Sequence, residues 1–521
     1  MIKDGRIWLA NTADGTNVSL LPGKANRHGL VAGATGTGKT VTLKVMAESF
    51  SEMGVPVFMA DVKGDIASLL AAGEDSADMQ ERIARFGLAE AGFSYQGYPV
   101  TLFDIYGEKG IQLRTTITEM GPLLLSRILE LNDLQTDVLS IVFKIADDSD
   151  LLLIDTKDLK AMLNYVQENA KEFAADYGRM SSATIGAITR ALVALEVAGG
   201  DRFFGEPALR ISDFLACGEG GKGMINILDA ESLINSGKLY STFLLWLLSE
   251  LFETLPEVGD LPKPKLVFFF DEAHLLFKDT SKALLDKIEQ VVKLVRSKGV
   301  GVYFCTQNPR DIPDGVLSQL GNKVQHGLHA YTPADQKAVK AAAESFRTNP
   351  AFNTYETILS LGTGEAVVSF LGEDGIPSVC EKVSILPPKS RFGAISDSER
   401  DTAIKSAMLY GKYANAEDPD SAYEFLERRG LAIQKEKEEA LAAAAAAKEA
   451  EAAKKAEEKE AAANEARKKR AAKSVASTVA GTVGREAGKA VGKNFGAFGK
   501  TVGGNLGASL GRGILSTLFK S

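Results

Sequence analysis

The sequence predicts an α/β fold built on a parallel central sheet, with a helical insertion and a long helical C-terminal extension. Three observations carry this. Short apolar runs of strand length recur, among them GLVA at 29–32, VPVFMAD at 55–61 and LVFFF at 266–270. Segments of helical periodicity lie between them, and strands alternating with helices build parallel sheets covered on both faces. From Leu431 to Lys473 the chain is almost entirely Ala, Glu and Lys, a composition that favours helix and has little to bury.

Taken in order, residues 1–28 are polar and turn-rich, enough for a strand or two but not a domain. A first domain is expected over 29–395. It opens with a strand entering a glycine loop, and Thr40 to Met53 then reads as a helix with Val41, Val45 and Phe50 on one face. YPVTLFDI (98–105) is the next strand after VPVFMAD. Residues 119–215 are helical in period and interrupt the strands as an insertion. The sheet resumes with GMINILDA (223–230), KLVFFFDEAH (265–274), VGVYFCTQNP (300–309) and AVVSFL (366–371). LPPKSRFG (386–393) is a turn-rich exit. A polar helical linker over 396–430, the Ala/Glu/Lys helix over 431–473 and a glycine-rich tail over 474–521 follow. In the tail, Gly484, Gly488, Gly492 and Gly496 recur every four residues, as do Gly499, Gly503, Gly507 and Gly511. As a helix, that spacing makes a flat stripe permitting close contact.

Composition is that of a globular protein, with 45% hydrophobic and 25% charged residues. Cys217, Cys305 and Cys380 are widely spaced, which argues against a disulfide framework or zinc cluster and fits a reducing cytoplasm. No secretory leader and no run of 18 apolar residues is read in the chain. Net charge is −8, but from Arg467 onward there are eleven Lys/Arg against one Glu, so the preceding body is strongly acidic. That argues against a broad duplex-binding face, though not against a basic pore.

The chemistry concentrates in GATGTGKT, Gly33-Ala34-Thr35-Gly36-Thr37-Gly38-Lys39-Thr40. It fits G-x-x-x-x-G-K-[ST] in full, after a strand and before a helix. Such a loop turns backbone N–H groups and a helix N-terminus onto phosphate oxygens. Lys39 is placed for the terminal phosphates of ATP, Thr40 for Mg²⁺, and Val41 continues the binding segment into the helix. LVFFF then delivers two carboxylates at a strand end: Asp271, to hold Mg²⁺ through water, and Glu272, to activate the attacking water. Gln307 follows the next strand and either senses the γ-phosphate or belongs to a turn before Pro309. Asp61 either lines the same edge or caps its own strand. Arg296 either reaches a neighbouring subunit's γ-phosphate or is an ordinary surface arginine. His274 reads as structural.

HGLVAGATGTGKT, ADVKGD, FFFDEAH and YFCTQNP, in this order, resemble the HerA/FtsK branch of RecA-like P-loop motor ATPases. GPLLLSRILELNDLQTDVLSIVFKIADD, RFFGEPAL and TPADQKAVKAAAESFR are similar to a bacterial YjgR-like group within it, and the resemblance covers roughly residues 5–395. It implies a RecA-like core, ATP and Mg²⁺, and a hexameric ring acting on DNA. It implies the roles given above for Lys39, Thr40, Asp271, Glu272 and Gln307, and a finger role for Arg296. Two departures stand out. Residues 1–28 are too short for the N-terminal barrel of HerA proteins, and His326 and His329 occupy a strand that often carries arginine in relatives. An alternative function is an ATPase acting on protein or at a membrane surface, because residues 474–521 interleave basic and apolar side chains. A nucleotide-dependent scaffold with little turnover is a third class, opposed by the intact Lys39, Asp271 and Glu272.

Overall fold

The computed structural model describes residues 1–233, 237–278 and 282–469. The first strands are β1 (Ile2–Lys3), β2 (Arg6–Thr12) and β3 (Asn17–Leu20). β4 (Gly29–Ala32) enters the glycine loop, which opens α1 (Lys39–Glu52), and β5 (Val57–Asp61) follows. Next come α2 (Ala77–Phe86), β6 (Val100–Asp104) and β7 (Ile111–Gln112). The insertion holds α3 (Ile117–Ile128), α4 (Asp133–Asp148), α5 (Thr156–Glu168), α6 (Ala170–Tyr177) and α7 (Ser182–Val197). β8 (Ile225–Asp229) and α8 (Gly237–Thr254) precede β9 (Leu266–Phe270). α9 (His274–Phe277), α10 (Lys282–Val295) and β10 (Val300–Thr306) come after it. α11 (Asp314–Leu317), β11 (Asn322–His326), α12 (Pro333–Glu344) and α13 (Thr354–Ser360) lead to β12 (Glu365–Ser369) and β13 (Glu381–Ile385). α14 (Asp397–Ser406), α15 (Tyr410–Tyr413) and α16 (Ala422–Lys469) close the described chain.

One sheet runs in the order β1-β2-β13-β12-β11-β4-β10-β9-β5-β8-β6-β7, with β3 against β2. From β11 to β7 every pairing is parallel, as expected from the buried apolar runs. The other side is an antiparallel wing in which β12 pairs with β11, β13 with β12 and β2 with β13. A tight turn, in which Gly372 N–H donates to the Ile376 carbonyl (2.9 Å), sends β13 back beside β12. Residues 1–28 therefore extend the central sheet through β2.

β9 is apolar at five successive positions because both faces are covered. On one face Phe269 and Tyr303 lie 6.4 and 6.3 Å from Phe50 of α1. On the other, Phe268 stacks on Phe58 at 4.8 Å and Phe270 on Phe304 at 5.6 Å. α1 is buried beyond its apolar stripe, since Thr42, Lys44, Glu48 and Ser51 are also inaccessible. The exit segment after β13 lies across it. Lys44 Nζ donates to Ser68 Oγ (2.6 Å) and to the Arg391 carbonyl (2.7 Å). The Glu48 carboxylate accepts from Lys389 N (2.9 Å), Ser390 N (3.0 Å) and Ser390 Oγ (2.6 Å). Burying a charge is tolerable only with such partners.

The insertion breaks where the sequence reads continuous helix. α3 and α4 are separated because Asn132 caps a new helix reciprocally with Gln135. α5 and α6 part at Asn169, whose Nδ2 turns back onto the Tyr165 carbonyl (2.8 Å). The chain divides into two compact units, Met1–Tyr423 and Glu424–Ser521. α16 is unbroken across the 430/431 boundary expected between linker and Ala/Glu/Lys helix, and Gly430 is simply an exposed helical residue. Every residue from Glu427 to Ala450 is exposed. The tail expected over 474–521 lies outside the described residues.

Candidate nucleotide site

The glycine loop joins the C-terminal end of β4 to the N-terminus of α1. Ala34 N–H donates to the Gly327 carbonyl (2.9 Å), and Gly364 N–H to the Thr37 carbonyl (3.0 Å), so neighbouring segments hold the loop from outside. Two glycines are dictated by space. At Gly33 a Cβ would lie 2.5 Å from His326 Cβ. Gly38, the residue before α1, has φ +110° and its missing Cβ faces Gly364 N at 3.1 Å. Lys39 Nζ reaches back over the loop to the carbonyls of Gly33 (2.7 Å) and Ala34 (3.0 Å). Burial pushes its pKa down, opposed in part by Cys305, Asp271 and Glu272. Thr35, Gly36 and Thr37 form the open lip of the loop, and Thr40 and Val41 lie half-buried on the first turn of α1.

Asp271 and Glu272 emerge where β9 ends. Asp271 Oδ1 accepts from Glu272 N–H (2.9 Å), and the Asp271 carbonyl accepts from Tyr240 Oη (2.7 Å). Burial, then the adjacent Glu272 carboxylate, push the Asp271 pKa up. The Cys305 thiol on β10 shares a hydrogen bond with this carboxyl. Glu272 adopts φ +46°, an uncommon conformation for a side-chain-bearing residue and one that clusters at functional sites. Its side chain is 10% exposed. Gln307 Nε2 donates to its two oxygens (3.2 and 3.4 Å), and His274 Nδ1 lies 3.3 Å from Oε2. Thr35 Oγ1 donates to Gln307 Oε1 at 3.4 Å. A continuous polar path therefore runs from the phosphate loop through Gln307 to Glu272.

Thr40 and Asp271 offer hydroxyl and carboxylate oxygens, the hard donors that suit Mg²⁺. Among the described residues no group of three or more His, Cys, Asp or Glu is arranged to hold a metal.

Asp61 caps its own loop. Its carboxylate accepts from the N–H groups of Lys63, Gly64, Ile66 and Ala67 at 2.8–3.2 Å, while burial raises its pKa to about 6. Arg296 is not brought to the loop. Its carbonyl accepts from Asn26 Nδ2 (3.4 Å) in the helical turn before β4, and the length of β10, about 20 Å at roughly 3.3 Å per residue, separates it from Gln307. Two residues next to the site went unassigned in the sequence. His326 underlies the loop, with Nδ1 donating to the Glu365 carbonyl (2.9 Å) and Nε2 accepting from Thr42 Oγ1 (2.8 Å). Cys305 carried no local signal beyond adjacency to Thr306-Gln307.

The sequence profile of the family described as Helicase HerA-like C-terminal matches residues 7–509. A probable helicase of Methanocaldococcus jannaschii is 30% identical over 146 residues, 27% of this chain and 26% of the relative. The DNA double-strand break repair helicase HerA of Sulfolobus acidocaldarius is 27% identical over 149 residues, 28% of this chain and 29% of the relative. The matched stretches thus span little more than a quarter of those relatives. The plasmid coupling protein TrwB, solved with the non-hydrolysable ATP analogue ADPNP, superposes with a TM-score of 0.50 at 16% identity. That match covers 76% of this chain and 92% of TrwB, and the likeness is one of fold.

Proposed function

The chain belongs to the Helicase HerA-like C-terminal family and carries the side chains of a P-loop ATPase, and we propose that it hydrolyses ATP to move or remodel DNA as a hexameric ring. The observation that carries the hydrolysis is the path Thr35–Gln307–Glu272, which ties the phosphate loop to a carboxylate of unusual backbone conformation. Lys39 and the α1 N-terminus bind the phosphates. Thr40 and Asp271 would hold Mg²⁺, which supplies charge neutralisation on the phosphates. Glu272 takes the proton of the water attacking the γ-phosphorus as the bond to the β-phosphate oxygen breaks. Gln307 aligns Glu272 with the loop.

DNA as the polymer is supported by the family and by the name of the Sulfolobus relative. The test is phosphate release with and without duplex DNA on a sample of measured mass. Stimulation by DNA, salt-dependent DNA binding and a six-subunit mass are expected; indifference to DNA on both counts would sink the DNA reading. In a ring, Arg296 would serve a neighbour's site, so Arg296→Ala should lower turnover while ATP binding persists.

A second reading rests on the basic, glycine-spaced sequence 474–521, which suits an anionic membrane surface. Among the described residues no single helix is long and apolar enough to cross a membrane. The free thiols of Cys217, Cys305 and Cys380 support a cytoplasmic location. Fractionation of the full chain beside one ending at Lys473 separates the readings. Membrane recovery of the full chain alone would favour the second.

A further inference from the structure

Lys63 lies in the turn that follows β5, two residues after Asp61 in the motif ADVKGD. Asp61 fixes that turn. Its Oδ1 accepts from Lys63 N–H (3.2 Å) and Gly64 N–H (2.8 Å), and its Oδ2 from Ile66 N–H (3.0 Å) and Ala67 N–H (3.1 Å). Gly64 supplies the left-handed conformation in the turn, with φ +75°. Ser68 Oγ, just beyond, donates to the Arg391 carbonyl (2.8 Å) and accepts from Lys44 Nζ (2.6 Å). The backbone under Lys63 is thus pinned, while Lys63 itself is exposed and its ammonium makes no hydrogen bond or ion pair with the described residues.

The sheet sets this turn at the γ-phosphate end of the site. Parallel strands follow one another in the order β4, β10, β9, β5, so their C-terminal ends share one edge. Along it stand the glycine loop, Gln307, the Asp271–Glu272 pair and the Lys63 turn, in that sequence. Phe58 pairs with Phe268 and Met59 with Phe269. The same register carried two residues on sets Asp61 beside Asp271, across a strand spacing of roughly 4.8 Å. The Lys63 ammonium is near enough to attract the Asp271 carboxylate and to repel the Lys39 ammonium. Two cations therefore approach each other from the two ends of this row, Lys39 from the glycine loop and Lys63 from the β5 turn. Their repulsion turns to a gain when an anion with several oxygens lies between them.

We infer that Lys63 is a second cation for the γ-phosphate of the bound nucleotide, its ammonium donating to the terminal oxygens that Lys39 meets from the loop side. This rests on the nucleotide-site reading given above. It gives the chain a means of telling ATP from ADP at a residue outside both the glycine loop and the β9 carboxylates. A diphosphate does not extend to that end of the row, so the contact favours the triphosphate alone.

The test measures ADP and ADPNP affinity calorimetrically, with Mg²⁺, for the full chain, Lys63→Ala and Lys63→Arg. Loss of one charge-assisted hydrogen bond should weaken ADPNP by on the order of tenfold in Lys63→Ala and leave ADP at the parent's value. Lys63→Arg, which keeps the charge, should keep most of the preference for ADPNP. ADPNP affinity unchanged in Lys63→Ala would overturn the inference. So would an equal loss for ADP, which would mean a disturbed turn. Loss of duplex DNA binding with the ratio of ADPNP to ADP affinity intact would assign Lys63 to the polymer and also overturn it. A parent that bound neither nucleotide would instead refute the nucleotide site itself.

Discussion

Glu272 holds a left-handed backbone conformation, and its carboxylate is gripped by Gln307 and His274. Strain of this kind persists only where surroundings impose it. If Glu272 is the base, Glu272→Gln should cut turnover by on the order of 10²- to 10⁴-fold while ATP affinity is retained. Single-turnover phosphate release alongside a binding titration checks this. His28 and His326 are both buried in a fixed neutral tautomer. In His28, Nε2 donates to the Val292 carbonyl and Nδ1 accepts from Val302 N–H. Burial lowers both pKa values to about 4. Between the ordinary histidine value of 6.5 and about 4, the unfolded chain binds protons that the native chain refuses. Stability is therefore complete above pH 6.5 and is lost as pH falls, by on the order of 3 kcal/mol per histidine. Urea melts across that window should show the decline, and His326→Gln should make it shallower. Lys39 and Asp271 stand out in the sequence because motif and context agree on them. His326 does not, because a histidine's partners are set by folding, not by neighbours in the chain.

At the level of elements, the strands with unbroken apolar runs were readable, since a strand covered on both faces needs no polar alternation. The antiparallel wing was less so. β13 is short and half-polar, and nothing local announces that it pairs with β2. The exit segment across α1 was opaque for a related reason. Nothing near Lys44 and Glu48 in the sequence announces their burial, because the backbone groups that hold Glu48 belong to Lys389 and Ser390. Glu48→Ala should strand those two N–H groups and the Ser390 hydroxyl, costing roughly 3 kcal/mol. Chemical denaturation measures it, and a loss under 1 kcal/mol would mean the segment is held elsewhere. Gly33→Ala should cost about 1–3 kcal/mol through overpacking against His326 and abolish nucleotide binding, since the loop must move to admit the methyl.

Over the whole molecule, the exposure of every residue of α16 from Glu427 to Ala450 implies that this stretch adds little to the stability of Met1–Tyr423. A chain ended at Gly430 should melt within about 2 °C of the full chain; a larger drop by calorimetry would show that the extension supports the sheet. The Ala/Glu/Lys composition made this helix legible, while its seamless run from Ala422 was not, because a change of composition looks like a boundary and imposes none. The wing has one more consequence, for the time course of synthesis. Thr12 of β2 pairs with Val383 of β13, so one edge of β2 waits for about 370 more residues to be made. At roughly 5–20 residues per second that is on the order of 20–75 s. Throughout it Ala10, Asn11 and Thr12, buried or half-buried in the finished sheet, belong to a strand whose β13 side is open while β1 and β3 are already made. Such an unpaired strand edge is what holdase chaperones bind and what aggregates in their absence.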